Sequence, residues 1–306
     1  MSPEWISFLA SVLYGFPSVT LYCLTIFIII RHQKSFNSSF FRLYISDGVM
    51  NISTFLNGFF TSRLMKITCK DCLFAPVFQN LGSFTAKFII AMSFHMAYVQ
   101  YSFTTLVSLN RLSVLINYNT MELFWKKSTL VLVLLIYFLP FFQTHIVFDY
   151  ESKVVYLENS QRYSIESVNL PRADILSTVG SFTALTTFLS VAINTCSIIL
   201  VHNLKTQIRS KAETNFLVIM AITCAVQLLG TVMTIALSVF DLSPFLMILK
   251  YATPYVSDGL SLVQPWLLIC FSHAIRNQMK LLVGWNSKPQ NSSNKLVHVR
   301  SVTSTI

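Results

Sequence analysis

Seven apolar runs, at residues 9–30, 43–61, 80–110, 128–148, 173–201, 215–240 and 249–272, are each long enough to cross a bilayer as a helix. Short charged segments separate them. Within hydrocarbon every backbone N–H and C=O has to find its partner inside the protein, so runs of this kind resolve into helices gathered in a bundle. Composition agrees: hydrophobic residues make up 54% of the chain and charged residues 11%, with a mean hydropathy of +0.61. That is too little polar surface to coat a soluble globule of 306 residues. The expected fold is all-α, a polytopic membrane protein with a seven-transmembrane helix bundle over 1–285. A short amphipathic helix at 274–285 closes it, and a polar, disordered tail follows at 286–306.

The formal charge of +10 could suggest nucleic acid, but the cations alternate with apolar runs instead of forming one basic face, which excludes that class. Their distribution sets topology. Segments on one side of the expected bilayer hold fourteen Lys and Arg residues, with Glu122 and Glu213 as their only acids; the opposite side holds seven. Cytoplasmic segments carry the excess, so the N-terminus is expected outside and the C-terminus in the cytoplasm. Met1 to Gly15 lacks a basic n-region and a cleavage site, and the first span is expected to act as its own insertion signal. Glycosylation sequons at Asn37, Asn51 and Asn291 then fall in cytoplasmic or buried positions and should stay unmodified.

The third run is the one around which the bundle is expected to form. At helical spacing Ser93, Ala97, Gln100, Thr104, Ser108 and Arg111 make a narrow small or polar stripe flanked by Phe, Ile, Leu and Tyr. Such a stripe admits close neighbours and needs their hydrogen-bonding groups. Charges in the spans also need named partners. Asp47 lies about one turn inside the second span, at a depth near that of Arg111; the two are expected to meet in one of two conformations, or else Asp47 neutralises the nearby Arg42. Lys87 stands about 36 Å above Arg111 at helical rise and is expected to snorkel to water. Asp258 has Ser261 one turn below it. With Ser93, His95, Gln100, Asn194 and Gln227 these two are candidates to line a ligand pocket, the alternative for each being helix-to-helix hydrogen bonding. Pro17, Pro140 and Pro265 interrupt spans; the first two are read as structural kinks, and Pro265 as either a kink or a hinge.

Cys69 and Cys72 form a C-x-x-C in the first outer segment, where a local disulfide is expected, while Cys23, Cys196, Cys224 and Cys270 are expected to be buried small hydrophobes. No metal set, phosphate loop, nucleophile motif or paired intramembrane carboxylates are found, so no cofactor, metal or enzymatic activity is expected. The final Ser304, Thr305 and Ile306 match the hydroxyl, any, apolar pattern of peptides that add a strand to a binding domain.

Three segments carry a family resemblance: Ser39 to Asn51 (SFFRLYISDGVMN), Ser108 to Leu112 (SLNRL) and Gln264 to Arg276 (QPWLLICFSHAIR). The chain resembles the nematode serpentine receptor class gamma family of seven-span chemoreceptors over nearly its whole length, to about Trp285. The resemblance implies a multi-pass plasma-membrane receptor of chemosensory neurons and their cilia that detects a small molecule, odorant or pheromone-like, and signals to a heterotrimeric G protein. It departs from rhodopsin-like receptors in three ways. L-N-R replaces their acidic-Arg-aromatic triplet, Q-P-W stands where N-P-x-x-Y is expected, and the second outer segment has no cysteine to bond to the third span. The functional expectation is a ligand held among the outer halves of spans three, five, six and seven, with Asp47, Arg111 and Pro265 forming the switch. Membrane lipid surrounds it, and a receptor dimer is compatible with it. The alternative from another class is a ligand-gated ion channel or transporter with the same number of spans.

Overall fold

The computed structural model of the chain describes residues 3–203, 211–239 and 244–282. The expected tail, with Asn291 and Ser304 to Ile306, falls outside the described residues. Seven helices longer than twenty residues form the body: α1 (Pro3–Arg31), α2 (Ser39–Phe59), α5 (Ser83–Ile116), α6 (Tyr118–Phe138), α8 (Arg172–Asn203), α9 (Lys211–Val239) and α10 (Pro244–Phe271). Short helices α3 (Met65–Ile67), α4 (Ala75–Gln79), α7 (Phe141–Thr144) and α11 (His273–Leu282) join or close them. Around the bundle α1 packs on α2 and α10, α10 on α9, α9 on α8, and α8 on α5. Helix α5 also touches α2, α6 and α9, so the third long helix is the hub.

Polarity is inverted relative to a soluble protein. Thr25, Asn51, Gln100, Ser108, Asn110, Gln227 and Ser261 are buried, whereas Leu13, Leu130, Phe188 and Val232 are exposed. An apolar exterior around a hydrogen-bonded interior is what lipid requires of a helical protein. Four helical stretches are long and apolar enough by composition to cross a membrane: Pro3–Arg31, Tyr118–Asp149, Arg172–Asn203 and Leu217–Leu237. Helices α2, α5 and α10 carry the buried Asp47, Asn51, His95, Gln100 and Asp258, strongly polar side chains that lower their hydropathy.

The backbone departs from the all-α expectation at one place among the described residues. Strands β1 (Ser152–Leu157) and β2 (Arg162–Ser167) form an antiparallel hairpin. Register pairs Val154 with Ile165 and Tyr156 with Tyr163, so these four side chains share one face. That face packs on Met65, Ala75 and Phe78. Tyr163 stacks on Phe78 with ring centroids 5.4 Å apart and accepts from Gln79 Nε2 at 3.0 Å. Gln161, at φ 46°, makes the left-handed turn between the strands. The hairpin therefore caps one end of the bundle beside the Cys69–Cys72 disulfide.

Three further expectations change. Cys23, Cys196 and Cys270 are exposed on the apolar exterior, and Cys224 is the buried one among these four. Lys87 donates through Nζ to the Phe148 carbonyl at 2.8 Å, tying the segment before the hairpin to α5. Helix α6 begins at Tyr118, ten residues before the apolar run, because Asn117 caps its first turn by accepting from the Thr120 N–H.

Candidate functional site

In the half of the bundle that carries the hairpin, a cavity of about 240 Å³ lies between α2, α5, α8, α9 and α10. Phe94, Ala97, Leu176, Val179, Met233 and Leu260 give it mostly apolar walls. Ser93 and Gln100 reach it from the polar stripe of α5, with Tyr101 beside them. The close approach of Tyr101 to α9 depends on Gly230, where any Cβ would collide with the Tyr101 hydroxyl. Of the expected pocket residues, Ser93 and Gln100 line this chamber, while Asp258 and Ser261 stand next to its walls Ser257 and Leu260 on α10.

The other three lie elsewhere. His95 is two residues from Ser93, about 200° around a helix, and its ring packs on Phe141 with centroids 4.1 Å apart and on Thr144. Asn194 sits beside Cys224 between α8 and α9. Gln227 is buried one turn from Gly230, and its backbone carbonyl accepts from Tyr101. All three are polar residues on a helix facing a neighbour, and sequence spacing does not say which neighbour.

Directly below the chamber a polar knot joins four helices. Gln100 Nε2 donates to Asn51 Oδ1 at 3.0 Å and to Ser261 Oγ at 2.9 Å. Asn51 Nδ2 donates to the Tyr22 hydroxyl, which donates to Gln264 Oε1, both at 3.2 Å. Asp47 is buried beside the amides of Gln264 and Asn51. Pro265 follows Gln264 and can give no N–H to the Ser261 carbonyl, so the knot meets α10 at its missing backbone bond. Trp266 then anchors α10 to α1 through Nε1 to Ser18 Oγ at 2.9 Å.

The expected meeting of Asp47 with Arg111 does not occur in this structure. The guanidinium of Arg111 lies over the Phe40 ring, 3.8 Å from its centroid. Phe40 is seven residues before Asp47, about 10 Å along the helix. The two charges are therefore nearly two turns apart in depth. The alternative pairing with Arg42 does not form either, since Arg42 Nη1 donates to the Lys126 carbonyl at 3.1 Å.

Asp258 is engaged instead by a cation that sequence placed in the first outer loop. Arg63, 2% exposed, forms a buried ion pair with Asp258, and the Tyr14 hydroxyl donates to the same carboxylate. Arg63 also lies over the Tyr255 ring at 5.6 Å. It reaches the interior from a π-helical turn, Phe60–Leu64, that continues α2. The cluster thus links α1, the end of α2 and α10.

At the opposite end two of the family-like segments touch. Glu122 of α6 accepts from the Ser39 backbone N–H at 2.8 Å and from Ser39 Oγ at 2.7 Å, and Asn110 Nδ2 donates to that Oγ at 3.0 Å. A carboxylate there satisfies an orphan donor of α2 and complements its positive end. A cavity of about 490 Å³ opens at this end between the α1–α2 connection and the α10–α11 junction, lined by Phe36, Asn215, Phe271 and Arg276. Among the described residues no group of three His, Cys, Asp or Glu side chains could hold a metal ion.

The chain is 27% identical over 283 residues to serpentine receptor class gamma-31 of Caenorhabditis elegans, covering 88% of the chain and 90% of that protein. It is 30% identical over 138 residues to serpentine receptor class gamma-16 of the same organism, covering 44% of the chain and 42% of that protein. The family model described as Srg family chemoreceptor matches residues 8–279. With nearly all of the described bundle inside that match, the chain belongs to the Srg family of chemoreceptors.

Proposed function

We propose that this chain is a seven-span plasma-membrane receptor, outside at its N-terminus, that detects a small molecule in the chamber and signals to a heterotrimeric G protein at its inner end. The observation that carries the reading is the double duty of Gln100. It is a wall of the chamber, and it is the donor that holds Asn51 and Ser261 together. A ligand that displaces or engages Gln100 changes the hydrogen bonding of α2 and α10 at the level of Pro265. The bound state is then favoured by the ligand's differential contacts with it. The inner cavity beside Arg276 and the basic inner segments are where a cytoplasmic partner would read the change.

The disulfide and the capping hairpin lie together at the chamber end, which suits an oxidising exterior. The site of action we assign is the ciliary membrane of sensory neurons. A second-messenger readout in cells with and without a G protein, during a small-molecule screen, tests the proposal. Ligand response should require the G protein, and Gln100→Leu should lose it while reaching the surface. Ligand-evoked current in cells lacking G protein would instead establish the channel alternative.

A further inference from the structure

A second cavity of about 280 Å³ adjoins the chamber, and Ser93 and Phe94 are walls of both. Its outer rim differs in chemistry. Lys66 of α3, Arg162 of β2 and Arg172 at the start of α8 line it, three cations brought from three separate elements. Among the described residues the ion pairs are Arg63 with Asp258 and Glu122 with Lys126, so none of the three has a carboxylate at pairing distance. Arg172 donates to the Ile165 carbonyl at 3.5 Å, a long bond to a neutral acceptor. The charges of Arg162 and Arg63 act against that of Lys66, with Glu4 opposing them. Like charges held this close in a partly buried cleft cost free energy that an anion would offset.

The chamber has the reverse bias. Its hydroxyls at Thr54, Ser93, Thr234 and Thr253 each donate to a carbonyl one turn back in their own helix. Both hydrogens of the Gln100 amide are engaged by Asn51 and Ser261, and Tyr101 donates to the Gln227 carbonyl. What these six groups have left to offer is oxygen lone pairs, and Ser257 is the one wall hydroxyl with no hydrogen-bond partner among the described residues. An anion placed there would meet a single neutral donor among acceptors and apolar walls, while at the rim it would meet ammonium and guanidinium donors. The two compartments thus sort a ligand by its ends.

Resting on the reading that the chamber is the ligand site, we propose that the receptor takes an anionic amphiphile, a carboxylate with an aliphatic body, the acid held by Lys66, Arg162 and Arg172 and the body in the chamber. The combined space is of the size that small-molecule sites occupy, about 300 to 1,000 Å³.

The experiment uses the full chain purified in nanodiscs and four ten-carbon probes: decanoate, its methyl ester, decan-1-ol and decylamine. Saturable binding above that of empty nanodiscs is measured by equilibrium dialysis. Decanoate is expected to bind at least about tenfold more tightly than the ester or alcohol, the worth of one charge-assisted contact. Arg162→Gln with Lys66→Gln should remove most of that preference, leaving what Arg172 alone supplies, Arg162→Lys should retain more of it, and Ala97→Phe should block all probes. Thermal unfolding confirms that each variant is folded. Equal binding of acid, ester and alcohol, blocked by Ala97→Phe, would overturn the charge assignment while leaving the chamber as the ligand site. Preferred binding of decylamine, or an acid preference unaffected by the double variant, would overturn it as well. Absence of saturable binding by any probe to the folded protein would remove both.

Discussion

Arg63 and Asp258 are the residues whose loss should be felt most. Removing one member of a buried ion pair strands the other charge, at a cost of about 3 to 5 kcal/mol. Arg63→Ala and Asp258→Ala should each sharply lower thermal stability in detergent. Arg63→Met combined with Asp258→Leu should recover most of the loss, because no charge then remains unpaired. If each single variant melts with the native protein, the pair is not structural. Glu122→Ala is expected to cost about 1 to 3 kcal/mol by leaving the buried Ser39 N–H without its acceptor, read by the same melts. Asp258 was recognisable in the sequence as a charge in need of a partner; Arg63 was not recognisable as that partner. In a regular helix the face of Asp47, Asn51, Thr54 and Gly58 continues to Thr61 or Ser62. The π-helical turn at Phe60–Leu64 adds a residue to the repeat and turns Arg63 inward. Periodicity assumes a constant 3.6 residues per turn, so a local change of helix type is invisible to it.

At the scale of elements, α10 holds Pro254 and Pro265 within one helix, and Pro265 falls where the polar knot crosses it. Pro265→Ala restores an N–H donor to the Ser261 carbonyl. The variant should be as stable as the native protein or more so and, on the hinge reading of Pro265, respond less to ligand, because the backbone bond missing from α10 is restored. Normal ligand response in a variant that folds and reaches the surface would assign Pro265 to shape alone. The hairpin teaches a different point about elements. Tyr163 and Ile165 alternate with polar residues in RYSIES, and SKVVYL is a short run of strand-forming Val and Tyr, a pair of signals open to reading as paired strands. Between two long apolar runs that short signal was overshadowed. The pairing became definite only when Phe78 and Met65 supplied a surface for its apolar face.

For the whole molecule, orientation decides which cavity faces the medium. Gln161→Ser would create a glycosylation acceptor at Asn159, at the tip of the capping hairpin. A mass shift removable by a glycosidase is expected there, with Asn37 and Asn51 unmodified. Modification at Asn37 instead would invert the proposed topology, placing the chamber in the cytoplasm. The same scale explains why the seven candidate pocket residues separated into those at the chamber and those elsewhere. Ser93 and Gln100 share the α5 stripe, while His95, Asn194 and Gln227 face other neighbours. Each was legible as an inward-facing polar group. Which inward space it met depended on how seven helices are arranged around α5.

The sequence by itself determined that apolar runs become helices, that polar stripes turn inward, that α5 is the hub, and that Cys69 and Cys72 stand close enough to bond. These are local consequences of side-chain periodicity, chain length and the cost of exposing polar groups to lipid. The tertiary structure alone decided that Asp258 pairs with Arg63, that Arg111 rests on Phe40, and that three distant cations converge above an apolar chamber. Partners far apart in the chain are chosen by helix depth, rotation and packing order, none of which is written in any single segment.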